Sequence, residues 1–88
     1  MIEIINKPWD YRFFERNKKY YLSVMCGGVA VFEINIELNE NENLMYKNLG
    51  IEYIDGLAKK IQFSPSSYSE RNLPDNFFDI DINANKMI

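Results

Sequence analysis

The chain has 88 residues, of which 47% are hydrophobic and 26% are charged, and its net charge is −3. This length suits one domain over residues 1–88 with a modest core, and the apolar content argues against intrinsic disorder. The sequence has no histidine and a single cysteine, Cys26, which excludes a histidine base, a zinc site of histidine and cysteine ligands, an internal disulfide and a cysteine–histidine nucleophile pair.

The first half of the chain predicts an antiparallel β-meander of three strands. Residues 11–15 are rich in aromatic side chains, and a polar turn follows in which Asn17 is suited to a left-handed conformation. Apolar and polar residues alternate from Tyr20 to Cys26, which is typical of a strand with one buried face. Gly27-Gly28 predicts a short hairpin turn, because both glycines can take positive φ.

The third predicted strand has the strongest alternation in the sequence. Its apolar positions recur from Ala30 to Leu38, with polar residues between them. The register places Glu33, Asn35 and Glu37 together on the outer face. We therefore expect these three side chains to be exposed.

At Leu38 the hydrophobic period lengthens, which predicts two helices. Asn39 and Glu42 form a capping-box pattern, and Gly50 is placed to end the first helix. A second helical pattern follows from Ile51 to Ile61, in which Gly56 costs roughly 1 kcal/mol relative to alanine. The helical residues expected to face the core are Leu44, Met45, Leu49, Ile51, Ile54, Leu57, Ala58 and Ile61.

The C-terminal part of the chain carries weaker signals. Residues 64–67 should end the second helix, and residues 77–82 alternate enough for a short final strand. Residues 73–88 would then extend the sheet or lie along the domain as an arm. The predicted fold class is α+β, with a three-stranded or four-stranded antiparallel β-meander packed against one or two helices.

The sequence predicts a soluble, cytoplasmic protein. No apolar stretch approaches the roughly 20 residues needed to span a bilayer, and the first residues do not resemble a signal peptide. A lone cysteine needs no partner in a reducing compartment. We expect no membrane association.

The net charge of −3 is unevenly distributed, with +2 on residues 1–28, −5 on residues 29–56 and zero on the remainder. The acidic third could bring charges from three successive elements into one patch beside exposed aromatic rings, which suits a basic protein partner. A plain solubility surface is the alternative. The candidate partner-binding residues are Glu33, Asn35, Glu37, Glu40, Glu42, Tyr46, Glu52, Tyr53 and Asp55.

Two other features resemble chemical sites. Cys26 precedes two glycines, but it continues an apolar strand face and has no histidine base, so we expect it in the core. Asp79 and Asp81 share one side of the last predicted strand and would suit a hard cation such as Mg²⁺. A solvated strand face explains them better, and we expect no metal, no cofactor and no enzymatic activity.

The aromatic and basic residues of the N-terminal third are a further candidate, as a stacking platform for single-stranded nucleic acid. No glycine-rich nucleic-acid motif accompanies them, and the adjoining strand is acidic. Most of the rings are therefore expected in the core. The set comprises Trp9, Tyr11, Phe13, Phe14, Tyr20 and Tyr21 with Arg12, Arg16, Lys18 and Lys19.

A pattern of spaced residues runs from Lys19 to Arg71. It comprises Lys19-Tyr20-Tyr21-Leu22-Ser23-Val24, Cys26-Gly27, Phe32-Glu33-Ile34, Leu38-Asn39-Glu40, Tyr46, Gly50, Ile54-Asp55, Leu57-Ala58, Ile61, Pro65, Tyr68 and Arg71-Asn72. This pattern resembles the small immunity proteins of bacterial contact-dependent growth inhibition systems. The resemblance implies a non-enzymatic inhibitor that binds a cognate toxin domain, commonly a nuclease, by charge complementarity. A general protein-interaction module or a weak single-stranded nucleic-acid binder is the alternative.

Overall fold

The computed structural model describes residues 1–28 and 30–74. The elements in chain order are the strands β1 (Ile2–Lys7), β2 (Tyr11–Arg16), β3 (Lys19–Cys26) and β4 (Phe32–Glu37), the helices α1 (Glu40–Leu49) and α2 (Ile51–Phe63), and a 3₁₀ helix (Pro65–Arg71). The strands form one antiparallel sheet in the order β1-β2-β3-β4. The α+β fold is confirmed, with a four-stranded sheet.

Strand β1 is absent from the predicted meander. Its register shifts between Glu3 and Ile5, where a β-bulge interrupts the two-residue alternation by which a strand is recognised. Only Ile5 of this strand is half-buried, and the other residues are exposed. Pairing with β2, and not burial, therefore defines β1. The predicted strand at residues 77–82 lies outside the described residues.

The two predicted turns have different outcomes. Asn17 and Lys18 have φ of 52° and 65° and join β2 to β3, which confirms the left-handed conformation at Asn17. The predicted tight turn at Gly27-Gly28 is wrong, because β3 ends at Cys26 and β4 begins only at Phe32. Gly27 has φ of 92°, and a Cβ there would lie 2.2 Å from the backbone oxygen of Ala30. Only glycine fits at that position.

Helix α1 begins and ends as predicted. The Asn39 side chain accepts a hydrogen bond from the Glu42 N–H at 2.8 Å, and the Glu42 carboxylate accepts one from the Asn39 N–H at 2.9 Å. Gly50 has φ of 72° and donates its N–H to the Tyr46 carbonyl at 2.7 Å. This capping box and glycine end are local features, so the sequence pattern finds them.

The predicted core-facing side of α1 is wrong. Leu44 and Leu49 are 55% and 53% exposed, and Met45 is only half-buried. The capping box turns Glu42 inward, and Tyr46, four residues later, lies on the same side of the helix. The leucines are consequently left on the solvent side.

Tyr46 joins α1 to the sheet. Its ring lies edge-on to Phe13 of β2 and Tyr20 of β3, with centroid separations of 4.9 and 5.1 Å. Aromatic contacts of this geometry add stability beyond the apolar area that they bury. The ring is half-buried and packs against the main core.

Helix α2 provides the main helical contribution to the core. It runs unbroken through Gly56, and the burial of Ile54, Leu57, Ala58 and Ile61 is confirmed, whereas Ile51 is 40% exposed. No helix among the described residues is both long and apolar enough to cross a bilayer. The main core cluster consists of Tyr11, Phe13, Leu22, Val24, Cys26, Ile34, Ile36, Leu38, Ile54, Leu57, Ala58 and Ile61.

The opposite face of the sheet is also buried at its centre, although β3 was predicted to have one buried face. The guanidinium of Arg12 lies 4.8 Å from the ring of Phe14, and that of Arg16 lies 5.3 Å from the ring of Tyr21. Residues at most 5% exposed on this face are Phe14, Tyr21, Ser23 and Asn35. Polar and aromatic side chains on the predicted outer face are therefore part of the interior.

Candidate partner-binding site

Asn35 is buried, and its predicted exposure on the outer face of β4 is wrong. It is 1% exposed. Its N–H donates to the Asn72 side-chain oxygen at 2.8 Å, and its carbonyl accepts from the Leu73 N–H at 2.7 Å. The segment after the 3₁₀ helix thus satisfies part of the outer edge of β4, which would otherwise present unpaired backbone groups.

Glu42 belongs to a largely buried ion pair and not to an exposed acidic patch. Its carboxylate oxygens accept from the Arg71 guanidinium at 2.6 and 3.0 Å, and Arg71 also donates to the Glu37 carbonyl at 2.9 Å. Burial alone would raise the pKa of Glu42, but hydrogen bonds from Arg71 and from the Asn39 N–H outweigh it, so the pKa lies below its ordinary value. The Glu42 charge is neutralised within the domain.

Asp55 is likewise held by partners from distant elements. Its carboxylate accepts hydrogen bonds from Lys7 of β1, at 2.7 Å, and from the Tyr11 hydroxyl of β2. These two bonds, that of Lys7 first, lower the pKa of Asp55. Burial and the bond to Asp55 raise the pKa of Tyr11 to about 12. This cluster fastens α2 to the first hairpin.

The two tyrosines expected as exposed anchors are both half-buried. Tyr46 and Tyr53 pack against the core cluster, and burial raises the pKa of each hydroxyl. Tyr53 also lines a concavity between the end of α1 and α2, together with the exposed Glu52. Both tyrosines therefore serve mainly to stabilise the fold, and part of the Tyr53 side chain remains exposed at the surface.

Four of the predicted residues remain as exposed carboxylates. Glu33 and Glu37 lie on the face of β4 opposite α2, whereas Glu52 lies on α2 and Glu40 begins α1. No ion pair within the described residues involves these four side chains. The predicted single patch is thus divided between two sides of the domain, and two of its charges are neutralised internally.

Trp9 belongs to the predicted stacking platform, but the sequence does not indicate it as an anchor for a protein partner. It is 81% exposed at the tip of the β1–β2 turn, although it was grouped with rings expected mostly in the core. Its φ of 65° lies in the left-handed region, which bulky side chains rarely adopt. Pro8-Trp9-Asp10 is a recognisable turn signal, but the exposure of the ring follows only from the structure.

The turn that carries Trp9 is held in place by the neighbouring Asp10. The Asp10 backbone oxygen accepts from the Met25 N–H at 2.8 Å, and its side chain accepts from Gln62 at 2.8 Å. A shallow hollow of about 40 Å³ beside the turn is lined by Trp9, Arg12, Met25 and Glu33, among others. One predicted binding residue, Glu33, therefore borders the same hollow as Trp9.

The other candidate sites of the sequence give a simpler outcome. Cys26 is buried in the core as predicted, and burial raises the pKa of its thiol. Among residues 1–28 and 30–74, no three cysteine or carboxylate side chains gather into a site that could hold a metal ion. Asp79 and Asp81 lie outside the described residues.

Most rings of the predicted stacking platform are enclosed. Tyr11, Phe13, Phe14 and Tyr21 are all at most 4% exposed. Stacking on a nucleic-acid base requires an accessible ring face. Of the platform rings, Trp9 is the most exposed.

Comparisons with protein-family models, with curated proteins and with solved structures gave no match to this chain. The resemblance to immunity proteins therefore stays a prediction. Among the exposed residues, Trp9 and Glu33 border one hollow at the β1–β2 turn.

Proposed function

We propose that this chain is a non-enzymatic, cytoplasmic immunity protein that binds and neutralises a toxin domain, with Trp9 as an anchor of the interface. Trp9 carries the proposal, because it is unfavourable for the isolated domain in two ways. A large apolar ring is left in water, and a left-handed backbone costs roughly 1–2 kcal/mol for a residue with a Cβ. A partner that covers the ring would offset both costs, and tryptophan is enriched at such anchoring positions.

The exposed carboxylates of β4 and of the start of α1 support a basic partner, although the lining of the hollow at Trp9 also includes Lys7 and Arg12. Glu33 borders the same hollow, Glu37 shares its strand face, and Glu40 begins the next element. All three are exposed and outside the ion pairs of the described residues. A nuclease toxin presents a basic surface to its substrate, so these carboxylates would speed association and occlude that surface.

Co-expression tests the role directly. The wild-type chain should restore growth of cells that express its cognate toxin domain, which is to be sought among the genes adjacent to its own. The purified pair should form a complex with a measurable dissociation constant. Failure to rescue growth, together with absence of binding, would contradict the immunity role.

The anchor is tested by Trp9→Gly. Glycine relieves the backbone strain and removes an exposed ring, so thermal stability should be maintained or raised. Loss of an anchoring tryptophan should weaken toxin binding by about 30-fold or more, mainly through faster dissociation. Leu44→Ala, at another exposed apolar residue, is the matched control and should leave the affinity unchanged. An unchanged affinity in Trp9→Gly would show that the anchor lies elsewhere.

The charge contribution is tested by reversing Glu33, Glu37 and Glu40 to lysine together. Association with the toxin should slow, and the difference from wild type should grow as the salt concentration falls. Glu70→Lys, at an exposed carboxylate of the 3₁₀ helix, is compared with Glu33→Lys alone, because both change the net charge equally. A triple variant whose association rate and salt dependence both equal those of the wild type would contradict the charge-complementary mechanism.

A further inference from the structure

The exposed side of α2 carries charged and apolar residues in an order that complements the same side of a second, antiparallel α2. We define the α2 stripe as Leu49, Glu52, Gly56, Lys60 and Phe63. The spacing of three or four residues places the four members within α2 along one side of the helix, and Leu49 borders the same concavity. All five residues are exposed, and Phe63 is 92% exposed. None of residues 1–28 and 30–74 covers this side of α2.

Nothing in the part of the chain that the structure describes requires a glycine at Gly56, the centre of the α2 stripe. Glycine is less favourable than alanine inside a helix, yet a Cβ at this position would meet nothing within 4 Å. The positive φ that would explain a glycine is found at Gly27 and Gly50, and not at Gly56. A bare position on an exposed helix allows another backbone to approach closely.

The surface on both sides of Gly56 is hollow. One concavity, of about 300 Å³, is lined by Leu49, Tyr53 and Leu57. A second, of about 560 Å³, is lined by Phe63 and Tyr68. Gly56 and Lys60 border both, so the two hollows meet at the stripe.

We propose that two copies of this chain associate through antiparallel α2 helices, with a two-fold axis at Gly56. Glu52 and Lys60 stand four residues before and after Gly56, and Leu49 and Phe63 stand seven residues before and after it. In the antiparallel arrangement Glu52 faces Lys60 of the second copy. Leu49 ends α1 and lines the concavity beside Glu52, and Phe63 of the second copy lies toward that concavity. Two ion pairs and two apolar contacts then flank the close approach at Gly56.

The charge order selects a second copy as the occupant. A two-fold interface requires one surface to complement itself. A negative charge on one side of Gly56 and a positive charge on the other meet that requirement only when the helices run antiparallel, because a parallel pair would place like charges together. No member of the α2 stripe borders the hollow at Trp9, so the proposed association does not depend on the proposed toxin contact.

The proposal is tested by sedimentation of the full chain across a wide concentration range. The wild type should shift reversibly from monomer to dimer. Lys60→Glu places like charges opposite each other twice and should raise the dimer dissociation constant about tenfold or more. The double variant Glu52→Lys with Lys60→Glu restores both opposite-charge pairs and should regain most of the wild-type association. Lys47→Glu, on α1, is the control and should associate as wild type does.

Gly56→Leu supplies an independent measurement. Leucine favours a helix and meets open space in the monomer, so melting by circular dichroism should show a stable fold, while dimer formation should be lost. A wild-type chain that stays monomeric at every concentration would overturn the proposal. So would dimers that form equally well in Lys60→Glu and Gly56→Leu, or a monomeric chain in which these variants weaken only toxin binding.

Discussion

Arg71 and Glu42 form a bidentate, largely buried ion pair between the end of the 3₁₀ helix and the first turn of α1, across 29 positions of sequence. Arg71 also donates to the Glu37 carbonyl, and Glu42 completes the α1 capping box through Asn39. One guanidinium therefore ties together the end of β4, the start of α1 and the last described helix. Removing one member of such a network lowers the free energy of unfolding by more than the loss of a single isolated contact does.

The first prediction concerns that pair. Glu42→Gln keeps a capping-box residue but leaves Arg71 without its carboxylate, and should lower the free energy of unfolding by about 2 kcal/mol. Arg71→Gln strands the more buried partner and should cost about 3 kcal/mol. Urea unfolding of both single variants and the double variant should show costs well below additive.

Arg12 and Glu3 provide the matched control, because they form an ion pair at 3.2 Å with both side chains more than a third exposed. Glu3→Gln breaks this ion pair while leaving the Arg12 guanidinium over the Phe14 ring, and should change the free energy of unfolding by at most about 1 kcal/mol. Strictly additive costs for Glu42 and Arg71, or a control as costly as Arg71→Gln, would contradict the special role of the buried pair.

The second prediction is a loss of stability in acid that depends on Glu42. The pKa of Glu42 is lower in the folded chain than its ordinary 4.5, so its stabilisation is present above pH 4.5 and is lost as the pH falls through the folded value. Urea midpoints of wild type and Glu42→Gln should converge as the pH is lowered below 4.5. A difference that stays constant into acid would argue against the lowered pKa.

The third prediction is a loss of stability in alkali that depends on Tyr11. Its pKa rises from 10.0 to about 12, so the neutral hydroxyl stabilises the fold fully below pH 10 and progressively less as the pH rises toward 12. Titration of tyrosinate absorbance should include a group that ionises near pH 12, and Tyr11→Phe should remove it. Disappearance of a different, earlier ionisation in Tyr11→Phe would contradict the assignment.

The fourth prediction concerns the β2–β3 turn, where Lys18 holds a φ of 65°. Lys18→Gly removes the steric cost of lysine in the left-handed conformation. The greater entropy of glycine in the unfolded chain offsets part of this gain, so the free energy of unfolding should rise by about 0.5–1 kcal/mol. Asn17→Gly should have a smaller effect, since asparagine tolerates this conformation. Thermal unfolding measures both, and a destabilised Lys18→Gly would exclude strain at this position.

Much of the fold could be read from short-range patterns. The capping box at Asn39, the end of α1 at Gly50 and the buried positions of α2 all depend on residues within four positions of one another. Hydrophobic periodicity gives the wrong prediction where contacts with residues distant in sequence determine which side of an element is buried. The bulge in β1 hides a strand, and the inward turn of Glu42 places Tyr46 in the core position that Leu44 was expected to fill.

Which side chains are exposed at the surface could be determined only from the tertiary structure. The sequence defines which residues are acidic, but Glu42 meets Arg71 across 29 positions and Asp55 meets Lys7 across 48. The local sequence around a carboxylate is the same whether the carboxylate forms an ion pair or is free. Its partner lies too far along the chain for hydrophobic periodicity to indicate it. Folding alone decided which carboxylates stay exposed. It also left Trp9 in solvent, since the ring's exposure depends on how the first hairpin packs against the rest of the domain.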